Sequence, residues 1–130
     1  MGTEKNAELV RRGYEAFISG DMATLSEIFS EDAVWHVAGS GVLSGPKQGR
    51  DAILAYFGEL GTRSEGTMKV TVQDVIEGDN YAVGLQHNQA ASKGRSLDTD
   101  AVIVFQVRDG KVTEGREFFP DTTQADAFWA

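Results

Sequence analysis

The side chains of His36, His87, Asp98, Asp100 and Glu117 could do acid–base chemistry and lie where strands are expected. His36 follows Trp35 in the run Asp32-Ala33-Val34-Trp35-His36-Val37. An imidazole titrates near physiological pH, so it can take a proton or orient a carbonyl. The other assignment is a core histidine satisfied by a backbone carbonyl. Strict alternation sends Trp35 and His36 to opposite faces unless a bulge intervenes. His87 is in phase with Val83 and Leu85, and joins a pocket if that face is the concave one. Asp98 and Asp100 share a face with Val102 and Val104. A carboxylate in an apolar pocket has a raised pKa and serves as acid or base; the bland reading is a solvated strand end. Arg116 and Glu117 alternate, so only one of them points inward. Asp121 reads as a helix cap.

The elements that would position these groups follow from periodicity. Ala7, Val10, Tyr14, Phe17 and Ile18 make one helical face, closed by Gly20. Asp21 suits the N-cap of a second helix carrying Leu25, Ile28 and Phe29, which should stop near residues 30–32. Val34 to Val37 reads as a short strand, and the glycines from 39 to 45 with Pro46 as a long loop. Gly49-Arg50-Asp51 opens a third helix with Ile53, Leu54, Phe57 and Leu60 on its stripe and Gly61 at its end. Strands follow: 68–76; 81–90, with Tyr81, Val83, Leu85, His87 and Gln89 on one face; and 97–107. Residues 92–96 form a hairpin loop between the last two. Asp109-Gly110 is a two-residue hairpin signal before a strand over 111–119. Asp121 then caps a short helix ending in Phe128-Trp129. Helices segregated beside an antiparallel sheet make the class α+β.

The whole chain bounds the partners. Its 130 residues suit one domain, 1–130, with a real core. A formal net charge of −8, from 12 basic and 20 acidic residues, argues against nucleic acid and anionic membranes as partners. There is no cysteine, so thiolate chemistry and sulfur-ligated metals are excluded. Histidine and carboxylate spacing shows no metal cluster, and no phosphate loop or nucleophile elbow occurs. The residues from Met1 to Glu8 carry no hydrophobic signal region, so a cytoplasmic protein is expected.

Several motifs together resemble the SnoaL-like branch of the nuclear transport factor two-like superfamily, which includes the ketosteroid isomerases. They are Tyr14-Glu15-Ala16-Phe17 with Gly20-Asp21, Asp32 to Val37, Gly49 to Ile53, Asp109-Gly110-Lys111-Val112, and Glu117 to Asp121 leading to Phe128-Trp129. The resemblance implies a cone-shaped α+β barrel, with three N-terminal helices on a curved, mainly antiparallel sheet and a pocket inside. It also implies a homodimer through the outer face of the sheet. Counting along the isomerase pattern puts its base at Val37, which has no basic atom. Its oxyanion tyrosine falls at Gly13, one residue from Tyr14, and its second donor near Ile103. Steroid isomerisation by that constellation is therefore not expected. The pocket carboxylate of SnoaL-type cyclases is matched in composition by Asp100, Glu117 and Asp121 with His36.

The resulting expectation is a cofactor-free isomerase or cyclase that moves protons next to a carbonyl. His36, Asp100 and Glu117 are its candidate catalytic residues. Tyr14, Trp35, Phe57, His87, Phe119 and Trp129 are its candidate walls for a small apolar ligand. The alternative is a non-catalytic binding or dimerisation module of the same fold.

Overall fold

A computed structural model describes residues 5–130; residues 1–4, and with them half of the Met1–Glu8 reading, lie outside it. Helix α1 spans Asn6–Ser19 and ends at Gly20, whose φ of 75° is left-handed. Asn6 ties its start to the sheet, donating from its side chain to the carbonyls of Gly78 and Asp79. Helix α2, Met22–Ile28, is capped by Asp21, which accepts from the Thr24 amide at 3.1 Å.

Strand β1 follows without a loop, over Phe29–Val37, and β2 spans Gly45–Gln48. Helix α3 runs Arg50–Arg63, then β3 Lys69–Glu77, β4 Tyr81–Ser92, β5 Arg95–Arg108, β6 Lys111–Phe118 and helix α4 Thr122–Trp129. One six-stranded sheet results, in the order β2-β1-β6-β5-β4-β3. Only the β1–β6 pairing is parallel. The architecture is the expected α+β cone, with helices on one face of the sheet.

Four boundaries differ from the sequence expectation. Helix α2 stops at Ile28, because Phe29 enters extended backbone and buries its ring in the core. The glycine-rich loop ends in a strand, β2; it lies at the sheet edge, where Pro46 forfeits no interior ladder bond. Gly61 does not end α3: the chain turns at Gly66, with φ of 77°, whose amide donates to the Gly61 carbonyl at 2.8 Å. The β4–β5 loop contracts to Lys93-Gly94, and both Asp109 and Gly110 take positive φ as a two-residue hairpin turn requires.

The core fills the space between helices and sheet. Ile53 and Leu60 of α3, Ala33 and Trp35 of β1, and Ile103 and Phe105 of β5 are all buried there. Among the described residues no helix is long and apolar enough to cross a membrane.

Candidate functional site

Inside the cone, β6 delivers Glu117, of which only 6% is exposed. Its neighbour Arg116 points outward, so alternation decides the pair as expected. Two donors converge on one carboxyl oxygen. Trp35 Nε1 donates to Oε1 at 3.1 Å and the Tyr56 hydroxyl donates to the same atom at 2.9 Å. Oε2 receives none of the hydrogen bonds among the described residues. The parallel register Val37↔Glu117 and Trp35↔Gly115 brings the indole over β6. Gly115 makes that possible, since a Cβ there would sit 2.3 Å from the Trp35 ring.

A second polar array faces Glu117 from β4. The Tyr14 hydroxyl donates to Gln86 Oε1 at 2.7 Å, and Gln86 Nε2 donates to Asn88 Oδ1 at 2.7 Å. Here too a glycine admits the ring: a Cβ on Gly84 would lie 2.0 Å from the Tyr14 oxygen.

Burial is the dominant electrostatic fact. Loss of water pushes the Glu117 carboxyl above its ordinary value, against the opposing pull of the Trp35 and Tyr56 hydrogen bonds and the Lys47 charge. Burial, with the nearby Glu117 charge, also raises Tyr14 and Tyr56, so both phenols keep their protons at neutral pH. Lys47 donates to the carbonyls of Leu43 at 2.8 Å and Ser44 at 3.3 Å, and its ammonium lies 5.4 Å from the centre of the Tyr56 ring.

Two cavities meet at Glu117. The larger, about 60 Å³, is lined by Tyr14, Phe17, Trp35, Phe57, Gln86 and Glu117 among others. The smaller, about 20 Å³, has Val37, Tyr56, Asn88, Phe119 and Trp129 in its wall, and again Glu117. One water needs about 10–15 Å³ on this measure. The larger cavity thus has room for a small polar head, not for a polycycle.

The structure brings together Glu117, Tyr14, Trp35, Phe57, Phe119 and Trp129. It separates the other three candidates from them. His36 is corrected to the outer face of the sheet: β1 is unbulged at this point, so Trp35 and Val37 face inward and His36 outward. Its side chain is 44% exposed and its Nε2 lies 3.1 Å from Glu114. His87 and Asp100 are corrected likewise, because the inward face of β4 carries Ala82, Gly84, Gln86, Asn88 and Ala90. On the outer face His87 Nδ1 meets Asp100 at 2.8 Å and Nε2 meets Asp98 at 2.6 Å. These two carboxylates, Asp100 foremost, raise the imidazole above its ordinary 6.5. Asp121 caps α4 through the Thr123 amide at 2.9 Å. Among the described residues no group of His, Asp and Glu is placed to hold a metal ion.

Tyr56, Gln86 and Asn88 were missed from sequence. Tyr56 had a legible signal, three residues after Ile53 and four before Leu60 on the buried face of α3. Gln86 and Asn88 had a misleading one, since their strand face looks polar beside the apolar Val83 and Leu85.

A cone of this topology is matched by known proteins. Residues 10–115 match the SnoaL-like domain, and the chain belongs to that family. An uncharacterised protein of Mycobacterium tuberculosis is 33% identical over 131 residues, covering 100% of both chains. The structure of Bal32a, from a soil-derived mobile gene cassette, superposes with a TM-score of 0.93 at 44% identity over 96% of each chain. IdmH of Streptomyces antibioticus, provisionally described as a polyketide cyclase, shares the fold at a TM-score of 0.77 and 23% identity, covering 94% of this chain and 96% of that one.

Proposed function

We propose that this protein is a cofactor-free isomerase or cyclase of small, largely apolar carbonyl compounds, with Glu117 as its acid–base group. The observation that carries this reading is the Glu117 carboxyl itself. One oxygen is fixed by Trp35 and Tyr56, and the other carries no donor where two cavities meet. Ionised, Glu117 takes a proton from the carbon next to a carbonyl; neutral, it returns that proton to the same or another carbon of the enolate. Burial strengthens it as a base, and apolar walls keep bulk water from competing. The Gln86 amide borders the larger cavity and the Asn88 amide the smaller, and their remaining N–H groups are the donors available to the carbonyl oxygen. The polyketide cyclase description of IdmH is in keeping with enol chemistry of this kind.

The homodimer belongs to the same proposal. The outer face of the sheet joins Leu85, Val102, Val104 and Phe118, the last 48% exposed. His36, Glu114 and Arg116 form a paired cluster to one side of this patch, and His87, Asp98 and Asp100 another to the other side. A two-fold axis through the patch would bury it against the same patch of a second copy.

The test is α-proton exchange of hexan-2-one in D2O, followed by proton NMR. The wild-type protein should accelerate exchange over buffer, and Glu117→Gln should lose about a hundredfold or more of that acceleration. Equal exchange by a folded Glu117→Gln protein would overturn the assignment.

A further inference from the structure

We propose that Lys47 is a positioning residue for Glu117: its ammonium, seated against the Tyr56 ring, supplies the positive charge that lets the buried carboxylate ionise and act as a base. The proposal rests on the Glu117 reading and adds how that group is kept charged. Lys47 lies on β2, paired with Trp35 of β1. Directly paired residues point to one face of a sheet, so Lys47 shares the inward face with the indole, while its neighbours Pro46 and Gln48 are exposed. There the ammonium lies 5.4 Å from the centre of the Tyr56 ring, within reach of a cation–π contact. The hydroxyl of the same ring donates to Glu117 Oε1 at 2.9 Å. Cation, ring and carboxylate therefore stand in one series.

Nothing nearer neutralises that cation. Its Nζ donates to the carbonyls of Leu43 and Ser44, and no carboxylate lies within ion-pair distance of it among the described residues. An uncompensated ammonium acts over several bond lengths where water is partly excluded. The titratable groups around Glu117 are Tyr14 from α1, Tyr56 from α3, Lys47 from β2 and, across the smaller cavity, Asp126 from α4. Strands β1, β4 and β5 present Trp35, Gln86, Asn88 and Ile103, none of which titrates. Both phenols hold their protons, and Asp126 accepts from the Ser40 amide at 2.9 Å. Lys47 is the cation among these groups, and its charge opposes the rise that burial imposes on Glu117. It lines neither cavity, so it acts through Tyr56 and across space, not by touching a ligand. An inward lysine on an edge strand also discourages pairing with another sheet edge, a role that leaves a carboxyl titration unmoved.

The experiment titrates Glu117 by carbon-13 NMR of the side-chain carboxyls, without ketone, in wild type, Lys47→Met, Lys47→Gln and Lys47→Arg. The signal is assigned by its loss in Glu117→Gln, and each variant is checked for folding by thermal unfolding. The Glu117 midpoint should rise in Lys47→Met and return to the wild-type position in Lys47→Arg. Lys47→Gln keeps a donor for the Leu43 and Ser44 carbonyls but no charge; its midpoint should rise too, and it carries the test if Lys47→Met does not fold. The acid limb of hexan-2-one exchange against pH should move up by the same interval in the neutral variants. A midpoint that stays or falls in the folded neutral variants overturns the role of Lys47, as does a rise that arginine does not reverse. Midpoints that rise and are restored, with no exchange by any of the proteins, uphold Lys47 as the charge partner and remove Glu117 as an acid–base group.

Discussion

Glu117 holds its proton more tightly in the folded chain than in the unfolded one, because burial raises it above the ordinary 4.5. Its contribution to stability is therefore fully present below that ordinary value and is lost as pH rises through the folded one. Glutamine keeps an acceptor for Trp35 and Tyr56 and does not titrate. The stability of Glu117→Gln relative to wild type, from urea unfolding, should shift in favour of glutamine as pH rises through that interval. A difference that does not vary with pH would contradict the burial argument. His87 has the same sign by another cause, hydrogen bonds to Asp100 and Asp98. Its stabilisation is complete below 6.5 and lost as pH rises through the raised folded value. An NMR titration should place His87 above the ordinary histidine value and show it falling in Asp100→Asn; an unmoved midpoint would deny the pairing. At this scale the sequence was half legible. Glu117 and the aromatic walls were named, but His36, the first candidate, was assigned inward against the alternation that put Trp35 there.

Strand β4 shows why an element can mislead. Its inward face is Ala82, Gly84, Gln86, Asn88 and Ala90, while Val83 and Leu85 face outward. Hydrophobicity alone reverses that assignment. The inner positions are small or polar because rings from elsewhere supply the apolar mass: Tyr14 of α1 lies over Gly84, as Trp35 of β1 lies over Gly115. Helices and turns were easier to read, since Gly20, Asp21, Asp109-Gly110 and Asp121 act through their own backbone. Strand β2 was not, because a four-residue edge strand with a proline carries little pattern. The ring-over-glycine arrangement predicts that Gly115→Ala, whose Cβ would lie 2.3 Å from Trp35, displaces the indole. The cost should be about 1–3 kcal/mol by chemical unfolding, with altered Trp fluorescence. Wild-type stability with an unchanged spectrum would contradict it.

At the scale of the molecule, class and family were readable from element order and motifs, because the helix–helix–strand–helix–meander order admits few ways to bury one core. The outer face of the sheet carries an apolar patch around Leu85, Val102, Val104 and Phe118, flanked by the His36–Glu114–Arg116 and His87–Asp98–Asp100 clusters. The proposed dimer predicts that sedimentation velocity at micromolar concentration shows two copies, and that Val102→Lys shifts the species to one. A wild-type monomer under those conditions would reject the interface.

Glu117 is proposed as a poised acid–base group at the meeting of the two cavities. Carbon-13 NMR of the glutamate side-chain carboxyls, with Glu117 assigned by its loss in Glu117→Gln, tests it most directly. The midpoint should lie above the ordinary 4.5 and move when a methyl ketone binds. A Glu117 that titrates at the ordinary value, unchanged by ketone, would contradict it.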